Sequence, residues 1–368
     1  MRFSFVGKLS ILKKNGIRTG KTKNGADYKS VRLMVSTDKK QTGFVETPFG
    51  MVYSKIVTYN TDNQKIEVNW DDRFDEDVVN SVASYRKYTI RACGIDKVFI
   101  SAYDFNCYLE EHISEFTDRV RVIGDIKKNV YNGSINNVFE ITGIYDVKED
   151  TKDMLRLHGT VYFTKDDIDT SDWKSDKKIL VNAYTREYID ADHKDNYVSQ
   201  QFVFDASRLD LENEKHLKIL NFRLKQLGLK LDGNKITNEL KANKVYTHSF
   251  VVNYVNGAEE IEFTESELTE QQKEAIELGI ATLDDFKPSG NIYGNRVIEY
   301  KIIDFDLKTF TKGLETAEDT MKEFTESIFN APKPESIDDI IDESEDDEEE
   351  YNDSSDDEDS DDFDDIFG

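Results

Sequence analysis

The chain has 368 residues, one third of them charged, and a formal net charge of −27. That length allows two or three units with real cores, and no apolar run approaches the ~20 residues that a membrane-spanning helix needs. Cys93 and Cys107 form neither a disulfide framework nor a metal-binding spacing, and Met1–Lys8 lacks an unbroken signal-peptide core, so a soluble protein of a reducing cytoplasm is expected, without a membrane.

In chain order, residues 2–11 read as a strand, and a loop from Lys13 to Asp27 leads into a second, Tyr28–Thr37. There Val31, Leu33 and Val35 alternate with Tyr28, Ser30, Arg32 and Met34. A third strand is expected over Met51–Tyr59, with Tyr53, Lys55, Val57 and Tyr59 on one face. A helical stretch near Asp75–Tyr85 carries Val78, Val79 and Val82, and strands Tyr88–Cys93 and Lys97–Tyr103 close the unit. Three strands, a helix and two strands is the order of a five-stranded OB barrel over residues 1–115. Residues 1–40 hold 11 Lys and Arg against Asp27 and Asp38. The loop cations Lys13, Lys14, Arg18, Lys21 and Lys23 suit a phosphate backbone, because each neutralised phosphate releases a counterion. With Arg32 and Lys55 beside them, Tyr28, Tyr53 and Tyr59 offer platforms for unpaired bases, although exposed tyrosine is also simply a good strand former.

Arg119–Tyr131 and Ser134–Val147 flank Asn132-Gly133, a hairpin signal. Strand-like runs follow at Met154–Thr164, Lys178–Ile189 and Tyr197–Ala206, with a long loop at Lys165–Asp176. Asn213–Leu227 is an amphipathic helix with Leu217, Leu220, Leu224 and Leu227 on one face and Gly228 as its stop. A second OB-like β unit with added helices is expected over 117–228. An α+β extension over 229–312 has strands at Val245–Val255 and Glu259–Phe263 flanking Asn256-Gly257, a helix at Thr269–Leu278 with a Thr269/Gln272 capping box, and a last strand at Asn295–Asp306. A helix over Leu314–Phe329 and a hinge complete 313–334. The tail, 335–368, carries 20 acidic residues and no Lys or Arg; of the −27, only −7 therefore falls on the first 334 residues. Such a segment is expected to be disordered. It ends in Asp364-Asp365-Ile366-Phe367-Gly368, whose bulky apolar groups among carboxylates suggest a ligand for a pocket on another protein. The fold class is thus mainly β: an N-terminal OB barrel, a second OB-like unit and an acidic tail.

Catalytic motifs fall away on inspection. Gly20-Lys21-Thr22 looks like the end of a phosphate loop, but Asn15 stands where that motif needs Gly. The five histidines have no i, i+4 pairing and no cysteine companion, and the pairs Asp71-Asp72 and Asp166-Asp167 read as solvated surface in so acidic a chain. No enzyme, metal or cofactor is expected.

The strand order, the run Gly-Ala-Asp-Tyr-Lys-Ser-Val-Arg-Leu-Met-Val and the run Tyr85-Arg86-Lys87-Tyr88-Thr89-Ile90 resemble single-stranded DNA-binding proteins of the OB-fold type. Bacterial and bacteriophage members of that family end in an acidic segment finished by a hydrophobic tip that recruits replication and repair proteins. This tail is similar in character and departs in adding Gly368 after Phe367. The resemblance covers residues 1–105 and the last ten. It implies a non-enzymatic protein that protects and organises single strands in DNA replication or recombination and recruits partners through Asp364, Asp365, Ile366 and Phe367. Lys-, Asn- and Ile-rich usage fits a phage of a low-GC host. The alternative expectation is an acidic adaptor or chaperone-like protein whose tail mimics nucleic acid and holds a basic partner.

Overall fold

The computed structural model describes residues 1–131, 134–189, 194–261, 268–286, 292–306, 314–317 and 320–329. The expected turn at Asn132-Gly133 and the whole tail lie outside the described residues. The first half contains β1 (Arg2–Ile11), β2 (Ile17–Lys21), β3 (Asp27–Ser36), β4 (Thr42–Glu46), β5 (Gly50–Met51), β6 (Lys55–Tyr59), β7 (Lys65–Asn69), α1 (Glu76–Val82), β8 (Tyr88–Ala92), β9 (Ile95–Phe99), α2 (Ala102–His112), β10 (Arg119–Tyr131) and β11 (Ser134–Asp146). The second half contains β12 (Met154–Phe163), β13 (Ile168–Asp169), α3 (Trp173–Asp176), β14 (Lys178–Ile189), β15 (Lys194–Asp205), α4 (Glu214–Gln226), β16 (Leu229–Asp232), β17 (Lys235–Asn238), β18 (Tyr246–Ile261), α5 (Glu270–Glu277), β19 (Ile292–Phe305), β20 (Glu315–Thr316) and α6 (Met321–Glu326).

Alternation builds the first barrel: Phe3, Phe5 and Leu9 of β1 and Val31, Leu33 and Val35 of β3 turn inward. The ring closes in register. β1 pairs with β3, β3 with β4, β4 runs parallel to β11 through Glu46↔Glu140, β11 pairs with β10, and β10 returns to β1. With α2 between the third and fourth ring strands, this is an OB barrel.

The register also redraws the expected boundaries. The third ring strand is β4, not 51–59, and the fourth and fifth are β10 and β11. The barrel therefore runs to about residue 146 rather than 115. Residues 47–101 are an insertion, in which β6 and β7 form a separate hairpin packed with α1 through Ile56, Val68 and Val82. From the insertion, β8 joins the barrel sheet parallel to β11 and pairs with β9. Alternation and turn residues marked the strands but carry no information on which strands pair, and the inserted strands have the same pattern as the ring strands.

The second barrel repeats the plan. β12 meets β14 at Tyr162↔Tyr184, β14 pairs with β15, β15 runs parallel to β19, β19 pairs with β18, and β18 returns to β12. α4 again lies between the third and fourth ring strands, capped by Asn213 and burying Leu220 and Leu224. This unit spans 154–305, so the expected division into 117–228 and an extension 229–312 gives way to one barrel. Lys165–Asp176, expected as loop, carries β13 and α3, whose Trp173 is buried in the common core. Leu314–Phe329 is not one helix. Glu315 and Thr316 pair with β18, and α6 starts only at the Thr320/Glu323 capping box. Asn256-Gly257 is not a turn but lies within β18. Gln41 accepts a hydrogen bond from the Asn256 amide at 2.9 Å, and a Cβ on Gly257, at φ +153°, would stand 2.7 Å from the Lys40 carbonyl. The glycine is there for close backbone approach between the barrels.

The two barrels are one body. β1 pairs antiparallel with β12 from Arg2↔His158 to Val6↔Met154. Phe5 stacks on Tyr254 at 6.1 Å between centroids, Phe139 packs on Tyr254 at 5.2 Å, and Tyr254 leads to Tyr300 at 5.3 Å. A polar latch lies beside this seam. Asn137 Nδ2 donates to Gln200 Oε1 (2.9 Å) and Tyr300 Oη (2.7 Å), and Lys128 Nζ donates to Asn137 Oδ1 (2.7 Å). Burial pushes the Lys128 ammonium down to about 8, against a weaker pull from Glu187.

Two outcomes follow from the shared core. Phe5→Ala opens a cavity against both barrels and should cost ~3–5 kcal/mol. Single-tryptophan versions that keep either Trp70 or Trp173, followed in urea, should shift their midpoints together; separate transitions would mean independent barrels. For Lys128 the folded state gives up a proton near pH 8 while the unfolded chain holds it to about 10.5. The unfolded state therefore binds more protons between those values, and stability contributed by this group rises with pH. From pH 7 to 10 the gain should be about 2 kcal/mol in wild type and absent in Lys128→Met, read as the difference between their urea curves.

Candidate nucleic-acid interface

The first barrel presents a cleft of about 320 Å³ where the insertion meets its side, lined by Phe49, Met51, Tyr53, Lys55, Trp70 and Arg86 among others. Strand pairing assembles its approach. Tyr28 on β3 sits between Gly20 of β2 and Met51 of β5, so the exposed basic strand β2 lies on one side of Tyr28 and the cleft on the other. Tyr28 stacks on Phe49 at 4.9 Å and 27°, leaving Phe49 54% exposed as the outer ring of the pair. Tyr53 is 50% exposed and its hydroxyl donates to Met51 Sδ at 3.5 Å. Exposed rings and the cations Lys55 and Arg86 thus line one cleft.

Three side chains anchor the site. Asn106, fully buried on α2, donates from Nδ2 to the carbonyls of Lys29 (2.6 Å) and Pro48 (2.9 Å), the neighbours in sequence of Tyr28 and Phe49. Arg73 lies 4.1 Å from the Trp70 ring and 4.2 Å from Phe74, and its Nε donates to Asp104 at 2.8 Å, tying the insertion to α2. Arg86 donates to the carbonyls of Ile100 (3.1 Å) and Val57 (3.1 Å), so its charge lines the cleft from a fixed place. Burial is the largest single influence on Lys29 and lowers its pKa, but the hydrogen bond to Glu110 together with the interactions with Cys107 and the Glu110 charge outweighs it, and the pKa is raised above its usual value.

The expected residues divide accordingly. Lys13, Lys14, Arg18, Lys21 and Lys23 are exposed along the β2 edge, with Lys21 3.0 Å from Asp27. Tyr53 and Lys55 line the cleft, and Tyr28 supports it from behind Phe49 rather than offering a free face. Lys55 is bonded to Glu67 at 2.7 Å; hydrogen bonds from Lys55 and then Lys65 pull that carboxyl down to about 2. Arg32 is paired with Glu46 at 2.6 Å and borders a different groove, of about 270 Å³, beside Phe44. Tyr59 stands at the far end of the β6–β7 hairpin, opposite Lys65 and outside the cleft lining. Asp364, Asp365, Ile366 and Phe367 lie outside the described residues.

Comparison with known proteins adds little. No protein-family model matches the sequence, and no curated protein matches it. Among solved structures, a deletion mutant of the single-stranded DNA binding protein from Thermus aquaticus aligns over 86% of this chain and 94% of that chain, at 9% identity and a TM-score of 0.30. That score transfers neither fold nor residue roles. The barrels rest on their own strand register.

The other candidate motifs resolve structurally. Gly20 and Lys21 belong to β2, and Thr22 accepts from the Gly25 and Ala26 amides in a tight turn, leaving no phosphate loop. Asp167 caps its turn by accepting from Thr164 N and Oγ1, both at 2.7 Å. Among the described residues no three metal-ligating side chains cluster, and no helix is long and apolar enough to cross a membrane. The residues that sequence reasoning missed, Phe49, Trp70 and Arg86, lie on connections between the expected strands, where no periodicity points to a face.

Asn106→Ala would remove a donor from the buried Pro48 carbonyl and the half-buried Lys29 carbonyl, a loss of ~1–3 kcal/mol in urea unfolding. Amide exchange over residues 47–53 should rise while that of β18 stays unchanged. Unchanged exchange at 47–53 would show that Asn106 does not set the position of Phe49.

Proposed function

We propose that this chain is a non-enzymatic single-stranded DNA-binding protein. The observation that carries the reading is the placement of exposed rings, Phe49 and Tyr53, beside the basic β2 edge on the β3–β4 side of an OB barrel. That side, with the loop between the first two ring strands, is where OB folds take oligonucleotides. Rings without a hydrogen-bonding code at their faces stack on any base, and neighbouring cations neutralise phosphates, so the binding is sequence-tolerant and selective for unpaired strands.

On the same reading, the protein protects and organises single strands during replication or recombination, in phage-infected bacterial cytoplasm. The tail recruits partner proteins through Ile366 and Phe367. The sequence features behind strand binding are a basic first 40 residues, and those behind partner recruitment are a tail of 20 acidic residues and its apolar tip.

Fluorescence polarisation with labelled oligonucleotides tests the core of the proposal. Single strands should bind well above duplex of equal length, and Phe49→Ala and Tyr53→Ala should each weaken binding by ~1–3 kcal/mol per base released. Equal affinity for duplex would overturn the reading. Absence of DNA binding by residues 1–334, with capture of basic proteins by the tail, would favour the adaptor instead.

A further inference from the structure

The junction between the barrels encloses a second cleft, of about 590 Å³, which the aromatic site does not use. Both barrels build it. Lys39 comes from the turn between β3 and β4, Arg208 follows β15, Arg223 projects from α4, and Lys301 lies on β19. The lining carboxylate is Asp205. It accepts from Ser207 N (3.0 Å) and Oγ (2.6 Å) and lies 3.5 Å from Lys301, which also meets Glu299 at 3.3 Å. Among the described residues four cations thus line the cleft with one lining acid, and Glu299 beside it also meets Lys301, in a chain whose overall charge is strongly negative.

Position and chemistry narrow the ligand. The turn that carries Lys39 is fixed on the second barrel by the Gln41–Asn256 hydrogen bond and by the close approach at Gly257. The cleft is preorganised at the point where the two barrels meet. Among the described residues no aromatic ring lines it; its apolar surface there is Val255, Ile302 and Ile303, which gives bases no platform. The neighbouring cavity, of about 920 Å³, also reaches Lys39, but there Lys8, Lys39, Arg119 and Lys152 are matched by Asp38, Glu149, Asp150 and Asp153, so its lining has no excess of positive charge for a polyanion.

We infer that the inter-barrel cleft binds the sugar–phosphate backbone of a single strand that continues past the aromatic cleft of the first barrel. The inference rests on the function proposed above and extends it: the first site grips bases, and the second grips phosphates only. Strands that reach both sites gain affinity by intramolecular engagement, and that gain is almost purely salt-dependent.

The experiment uses the full chain and two homopolymeric oligonucleotides, of about 8 and about 30 nucleotides, the shorter within the span of one OB fold. Lys39→Ala/Arg208→Ala/Arg223→Ala should weaken the long strand about tenfold or more at low salt. Its slope of log K against log salt should flatten by up to ~2, at ~0.7 per lost contact, and the short strand should be unaffected. Lys39→Glu, a single change in an exposed turn, should move the long strand in the same direction and guards against a folding defect in the triple variant. Equal loss for both lengths, or no loss for the long strand, overturns the inference while leaving the aromatic site standing. Failure of wild type to bind the short strand, or indifference of that binding to Tyr53→Ala, overturns the first site instead. A long strand still weakened by Lys39→Glu would then keep the cleft as a binding site in its own right.

Discussion

Everything in this molecule depends on the hydrogen-bonding edges of β1. On one edge, residues 2–8 pair with β10. On the other, residues 2–6 pair with β12 and residues 8–11 with β3. The handover occurs at Gly7, where a Cβ would sit 2.3 Å from the Ser36 carbonyl. One strand therefore closes the first barrel and joins it to the second. Because a buried backbone group without a partner is expensive, neither barrel can shift against the other without stripping donors and acceptors from this strand.

β12 answers β1 with the same division of labour. Its residues 154–158 face β1, and Tyr162 on the same edge returns to its own barrel at Tyr184. Since the paired strands are the first of each ring and run antiparallel, the barrels are related by a local twofold-like arrangement, with Ser4 facing Arg156 at its middle. The chain resembles a symmetric pair joined in one polypeptide, although the residues that fill the seam differ between its two sides. Phe5 and Phe139 from one barrel meet Tyr254 from the other, and the buried Lys128 is tolerated because Asn137 accepts from it and joins Gln200 and Tyr300 in one network.

Asymmetry enters through the insertion at 47–101. It falls between the third ring strand and the helix, where a barrel can lengthen a connection without breaking its ladders. The insertion supplies most of the aromatic cleft. Its anchorage is polar and directional: Arg73 held between two rings and bonded to Asp104, Arg86 bonded to two carbonyls, and Asn106 reaching across from α2. Rings that must meet a ligand have to remain exposed, so they cannot be positioned by burial. Hydrogen bonds beneath them do it instead.

The sequence by itself determined the local structure. Strand-like runs marked every ring strand except β4, which no expected strand covered. Asp75, Asn213, Thr269 and Thr164 cap the helices and turns that they begin, and the basic first 40 residues and acidic tail were plain from composition. These signals are short-range, set by side-chain period and by hydrogen bonds to nearby amides. Tertiary structure alone decided which strands close which ring. Parallel pairs such as β4 with β11 join residues far apart in sequence, and no residue pattern names its partner. It also turned Asn256-Gly257 from a hairpin signal into a point of close approach, because the same lack of a Cβ serves a turn and a crowded backbone equally well. Arg32 and Lys55 were legible as cations, but their pairing with Glu46 and Glu67 was not. The cationic cleft between the barrels draws Lys39, Arg208, Arg223 and Lys301 from four separate elements, and only the folded chain brings them together.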